Sequence, residues 1–158
     1  NYLTPDSFIY IMWFVKRLIP KEDENMIVAA IKKAELNTSG EIRVHIESEC
    51  KEGNPLARAI YLFNMLGMYK TAARNGVLIY VAKKSRKFAI IGDDGINRVI
   101  PDNYWNNIRS AMSEDFSKGQ YASGICNAIL STGELLKKEF PHTEDDVNEQ
   151  SDEVSFGK

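Results

Sequence analysis

Between Lys21 and Pro141 the apolar positions recur with two different periods, and these divide the chain into a short series of elements. The run KEDENMIVAAIKKAELN places Ile27, Ala30, Ile31 and Ala34 on one helical face. Acidic residues fill its first turn and Lys32 and Lys33 stand near its end, as the helix dipole favours, and Asn37-Thr38-Ser39-Gly40 stops it. EIRVHIE, residues 41–47, then alternates strictly, with Ile42, Val44 and Ile46 opposite Arg43, His45 and Glu47. This predicts a strand with one buried face near a sheet edge, and His45 reads as an exposed strand residue rather than a ligand. Asn54-Pro55 opens a second helix with the stripe Leu56, Ala59, Ile60, Phe63 and Leu66, closed by Gly67.

NGVLIYVA, residues 75–82, is a nearly continuous apolar run, the pattern of a strand buried on both faces. KKSR makes a basic turn and KFAIIG returns, so these two strands form an antiparallel hairpin. Asp102 is the expected cap of a helix with the stripe Trp105, Ile108, Met112 and Phe116, and Gly119 interrupts it. A last helix turns Ile125, Ala128, Ile129, Thr132 and Leu136 inward and ends near Pro141. Trp105 and Phe116 at helical spacing read as core rather than as an aromatic ligand box.

This order predicts an α/β fold, a three-layer α/β/α sandwich around a small mixed sheet. The crossover helix makes the first two strands parallel, and the third runs against them. The starts of the first two strands and the end of the third should therefore share one rim. Ser39, Gly40 and Glu41 would meet Arg74, Asn75 and Gly76 there, together with Asp93, Asp94 and Gly95, and Asp102 would return to the same place.

The ends of the chain read differently. Residues 1–20 form an apolar N-terminal helix, opened by Thr4-Pro5-Asp6 and reaching about Ile19. Its eight consecutive apolar residues, Phe8 to Val15, fall short of the roughly 20 that a bilayer span needs, and they lack the flanks of a signal peptide. The expected role is docking on the domain, with contact to a membrane surface or a partner through residues 8–19 as the alternative. Residues 21–141 make the domain proper. Residues 142–158 form an acidic C-terminal tail, poor in apolar residues, expected to be disordered or lightly docked.

The net charge of −2 leaves no basic footprint for nucleic acid. Two cysteines make no disulfide framework or metal knuckle, and two histidines make no multi-histidine zinc site. These features favour a soluble, cytoplasmic chain, with no compartment signal.

At the rim the question is why Asp93 and Asp94 stand side by side after an apolar strand. One answer is a cation. Glu41, Asn75, Asp93, Asp94 and Asp102 would offer carboxylate and amide oxygens from separate segments, and calcium takes six to eight oxygens at roughly 2.3–2.6 Å from flexible loops. Magnesium is the alternative cation, and the absence of sulfur and nearby imidazole argues against zinc and copper. The other answer is turn chemistry, with an aspartate bonding its own backbone and Gly95 at positive φ. Arg74 and Arg98 flank the rim and offer bidentate phosphate binding. The spacing is not that of an EF-hand, and no P-loop, nucleophile elbow or Cys-His pair is present.

TSGEIRVHI, NGVLIYVAKKSRKFAIIGDDGIN, IPDNYW and FSKGQYASGI, in that order, resemble the TPM domain family over about residues 21–141. That resemblance implies an α/β/α sandwich, calcium binding in some members and weak phosphomonoester hydrolysis in at least one plant member. Many members carry a Gly-aromatic-Gly-Leu-Glu turn where this chain has GDDGIN, which sets Asn97 at the family's glutamate and Asp102 at a later aspartate. The leading expectation is a calcium-binding module that serves protein interaction, assembly or repair with an unidentified protein partner. A metal-assisted acid phosphatase comes second. A metal-free scaffold docking through the N-terminal helix comes third.

Overall fold

In the computed structural model, which describes residues 18–144 and 148–157, the apolar run at residues 76–82 becomes the centre of the sheet. The elements are α1 (Lys21–Glu35), β1 (Glu41–Glu47), α2 (Pro55–Met65), β2 (Gly76–Ala82), β3 (Lys87–Gly92), α3 (Asp94–Asn97), α4 (Asp102–Ser117), α5 (Tyr121–Glu139) and β4 (Ser155–Phe156). The strand order is β3-β2-β1-β4, with β1 parallel to β2 and to β4, and β3 antiparallel to β2. Every residue of β2 is buried, because helices cover both of its faces.

The period of two along β2 sorts the core into two layers. Val77, Ile79 and Val81 join Ile42, Val44 and Ile46 against α1, α4 and α5, where Ile27, Ile31, Ile125 and Ile129 are fully enclosed. Leu78, Tyr80 and Ala82 face Ala59, Leu62 and Phe63 of α2. The result is the expected three-layer sandwich, and the stripes of α1 and α5 are buried as their spacing predicts. Asn54 caps α2 by accepting from the Ala57 N–H at 3.1 Å, and Gly67 ends its last turn at φ +67°.

Three expectations are corrected. The polar face of β1 is enclosed like the apolar one, so His45 and Glu47 are buried rather than exposed, because α2 and the C-terminal tail lie over that face. The stripe of α2 is rotated, with Leu62 buried while Leu56 and Ile60 are about half exposed. Arg58 of the same helix reaches Glu47, donating from Nε at 3.1 Å, while Ala59, Leu62 and Phe63 face inward. Pro101, with φ −63° and ψ 149°, takes the cap position of α4, which leaves Asp102 as the first helical residue with no side-chain cap bond.

The acidic tail takes the docked of its two expected states. Residues 148–157 dock along β1 and add β4, burying Val154. The helix expected over residues 4–19 lies, but for Leu18 and Ile19, outside the described residues. Among the described residues no helix is long and apolar enough to cross a membrane.

Candidate functional site

The rim assembles as the strand order requires. Glu41 pairs with Gly76 and Val77 with Gly92, the Glu41 N–H donates to the Asn75 carbonyl at 3.3 Å, and the Asp93 N–H donates to the Gly76 carbonyl at 2.9 Å. Ser39 joins it by accepting from Asn75 Nδ2 at 3.2 Å. Glu41, Asn75 and Asp93 therefore come from three separated segments to one edge. Their side chains, however, serve two different arrangements.

Asp93 faces Arg74. Its two carboxylate oxygens accept from Arg74 Nε at 2.7 Å and Nη2 at 2.8 Å, a bidentate pair that raises the arginine pKa. Asp93 Oδ1 also accepts from the Asp94 N–H at 2.8 Å and so caps α3. Arg74 adopts φ +50° and its carbonyl accepts from the Gly95 N–H at 2.9 Å. The positive charge between the aspartates is thus a side chain of the chain itself. Asp94 is exposed, 3.6 Å from the same guanidinium. Gly95 is helical rather than at positive φ, and its lack of a Cβ serves close packing on the backbone of residues 73 and 74. Arg98 is exposed at the C-cap of α3, and Asp102 makes no hydrogen bond or ion pair with Glu41, Asn75 or the aspartate pair.

Glu41 turns away from Asp93 toward a cavity of about 390 Å³, whose walls include Glu35, Ser39, Glu41 and Asp152. It is only 3% exposed; Oε1 accepts from the Glu149 N–H at 2.7 Å, and the carboxyl also hydrogen-bonds to that of Glu35. Both carboxylate oxygens of Glu35 are enclosed, and its carboxyl hydrogen-bonds to those of Asp152 and Glu41, while Asn75 Oδ1 at the neighbouring strand start is enclosed without a partner. Burial raises the pKa of Glu35 to about 11, helped by Asp152 and Glu41 close by. Burial also raises Glu41, against the opposing N–H of Glu149. Among the described residues no group of three or more His, Cys, Asp or Glu side chains is placed to hold a metal ion.

The pocket gives the ion-free protein a definite pH dependence. An unfolded glutamate releases its proton near pH 4.5, whereas folded Glu35 holds it to about 11, so the native state binds more protons between those values. Glu35 therefore stabilises the fold fully below the lower value, and this contribution is lost as pH rises, by at most about 1.4 kcal/mol per pH unit. Urea midpoints in chelator should fall from about pH 5 to about pH 9, and Glu35→Gln should flatten the decline. A wild-type midpoint that stayed level would remove the acid cluster from consideration.

A second buried network lies at the opposite end of β1. Glu47 accepts from Arg58 through both of its oxygens, from Tyr80 Oη at 2.7 Å and from His45 Nε2 at 3.3 Å. Burial pushes the Glu47 pKa up, but the bonds from Arg58, Tyr80 and His45 together hold it below the ordinary value. His45 is held low by burial, and its Nδ1 meets Ser155 Oγ of β4 at 2.8 Å.

Sequence reading missed Glu35, Asp152 and this second network. A signal for Glu35 was present, because it lies four residues beyond Ile31 on the buried stripe and places an acid in a last turn that favours bases. Nothing local marked Asp152, whose place depends on a segment docking across more than a hundred residues.

Comparison with known proteins agrees with this architecture. No curated protein matches the chain. The solved structure of the BA42 protein from the psychrophilic bacterium Bizionia argentinensis is 41% identical, covers 92% of this chain and all of its own, and superposes with a TM-score of 0.84. The N-terminal domain of the cg2496 protein from Corynebacterium glutamicum is 18% identical over 75% of this chain and 74% of its own; its TM-score of 0.61 speaks to the fold alone. The family model described as the TPM domain matches residues 15–135. The chain belongs to the TPM domain family.

Proposed function

We propose that this TPM domain is a calcium-binding module, with the ion held in the pocket of Glu35, Glu41 and Asp152 rather than between Asp93 and Asp94. The observation that supports this reading is the buried convergence of the Glu35, Glu41 and Asp152 carboxyls, close enough to hydrogen-bond to one another. Buried charges are ordinarily paired or coordinate metals, and an unpaired one is costly. These carboxylates must either retain protons or meet a cation. Calcium suits the second course, because it accepts carboxylate, carbonyl and water oxygens in flexible arrangements. Asn75 Oδ1 adds an amide oxygen at the edge of the set. Magnesium demands tighter octahedral geometry, which disfavours it in a pocket whose acids do not yet stand in a cage. The bound ion would supply charge that links the domain to its tail. Protein interaction is the role that such a linkage serves best.

Phosphomonoester hydrolysis gains no specific support, because the Nε–Nη2 edge of Arg74 that would grip a phosphate is engaged by Asp93.

Calcium titration followed by backbone amide NMR tests the reading. Saturable shifts are expected at Ser39–Glu41 and Glu149–Asp152, abolished by Glu41→Gln and retained in Asp94→Asn. At one hundred times the dissociation constant the ion should add about 2.7 kcal/mol of stability. Shifts centred on Asp93 and Asp94, or none that saturate, would overturn the assignment.

A further inference from the structure

α2 is an 11-residue helix at the surface, and its sequence, PLARAIYLFNM, holds one charged residue, Arg58. Ala59, Leu62 and Phe63 face the core, and an ordinary surface helix would turn charged and polar residues the other way. This one does not. Leu56, Ile60, Tyr61 and Met65 stand outward, with Tyr69 just beyond the helix, and each is between 42% and 66% exposed. These five are half of the ten large apolar side chains exposed among the described residues. Single exposed apolar residues are ordinary, whereas a contiguous apolar face marks an interaction surface.

We propose that this face is where two copies of the chain associate, with α2 packed antiparallel on α2 about a two-fold axis between Ile60 and Tyr61. The proposal does not depend on the calcium reading. Its first support is that the face is complementary to itself. Antiparallel pairing about that axis sets Ile60 opposite Tyr61 of the second copy and Leu56 opposite Met65, apolar against apolar. The same register sets Glu52, exposed before the helix, opposite Lys70, exposed after it with Nζ 5.8 Å from the Tyr69 ring. Opposed ends therefore carry opposite charge, and a net charge of −2 puts little repulsion between copies. The second support is area. Side chains of this size present roughly 200 Å² when fully exposed, so the pair would bury about 1,000 Å², the lower bound of a specific interface. A lipid surface suits the face less well, because interfacial helices are edged with Lys and Arg, whereas Glu49 and Glu52 precede this one.

Sedimentation equilibrium of the full chain, with backbone amide NMR over the same concentrations, tests the pairing. An interface of this size predicts a self-dissociation constant of about 100 μM. The mass should climb from 17.9 kDa toward twice that value, with concentration-dependent shifts centred on residues 56–69. Ile60→Asp should weaken association at least about tenfold and leave the urea midpoint of dilute protein unmoved, since the side chain is exposed. Glu52→Lys and Lys70→Glu should each weaken it about fivefold, and the two together in one chain should restore it. A mass fixed at 17.9 kDa up to about 1 mM overturns the proposal. Association that survives Ile60→Asp also overturns it, by placing the contact elsewhere. Phosphatidylglycerol vesicles that shift residues 56–69 of a chain that never self-associates overturn it in favour of a lipid surface. Charge variants without mutual rescue overturn the antiparallel register.

Discussion

Arg58→Ala should cost about 3 kcal/mol of folding stability, read as a fall of about 10 °C in Tm. The side chain is 37% exposed, which alone would suggest a surface ion pair worth under about 1 kcal/mol. Its partner decides otherwise. The Glu47 side chain is only 4% exposed, and with the guanidinium gone a buried carboxylate keeps only Tyr80 and His45. Removing one member of a buried pair leaves an uncompensated charge, and that dominates the cost. A second readout separates this from lost packing. Arg58 is one of the groups that lower the His45 pKa, while Glu47 raises it. In the variant the His45 ring should titrate at higher pH, as it becomes the counter-ion of Glu47. A loss under about 1 kcal/mol with an unmoved histidine would show that the pair behaves as a solvated surface contact.

Gly95→Ala should be nearly as damaging, at about 3 kcal/mol by urea denaturation. A methyl carbon there would lie 2.2 Å from the Ala73 carbonyl oxygen and 2.7 Å from that of Arg74. Both obstacles are backbone, so neither can swing aside as a flexible side chain would. Relief requires α3 to lift away from residues 71–74, breaking the Gly95 N–H bond to the Arg74 carbonyl and drawing Asp93 from Arg74. Gly119→Ala is the control. Nothing lies within 4 Å of its added carbon, and only its φ of +74° is strained, a cost of about 1 kcal/mol. Equal losses at the two glycines would contradict the packing argument.

These two positions show where sequence reading succeeds and where it stops. Periodicity placed β1, β2 and β3, their directions and the rim they share, because each signal is local and repeats several times. The stripe of α1 was legible for the same reason. The stripe of α2 was only partly legible: hydropathy favoured Leu56 and Ile60, which stand about half exposed, while Arg58 on the same helix reaches a buried carboxylate on another element. His45 was misread on the same ground, because alternation describes a strand and is silent about a distant segment that covers it. At the candidate site, Glu41 and Asn75 were found, and so was the convergence of three loops. The partner of Asp93 lay nineteen residues upstream and was taken for a flanking phosphate binder. Asp152 belongs to a tail whose acidic composition, poor in apolar residues, matches unstructured chain.

The contact between His45 and Ser155 joins residues 110 positions apart. Such a closure forfeits more chain entropy than the β2–β3 hairpin, whose strands are separated by a four-residue turn. Loop-closure entropy therefore favours an order in which the sheet grows outward from β2 and the fourth strand is added last. A molecule interrupted at that stage would have a finished interior and an unguarded flank, so its hazard is edge-to-edge association between copies rather than collapse of the core.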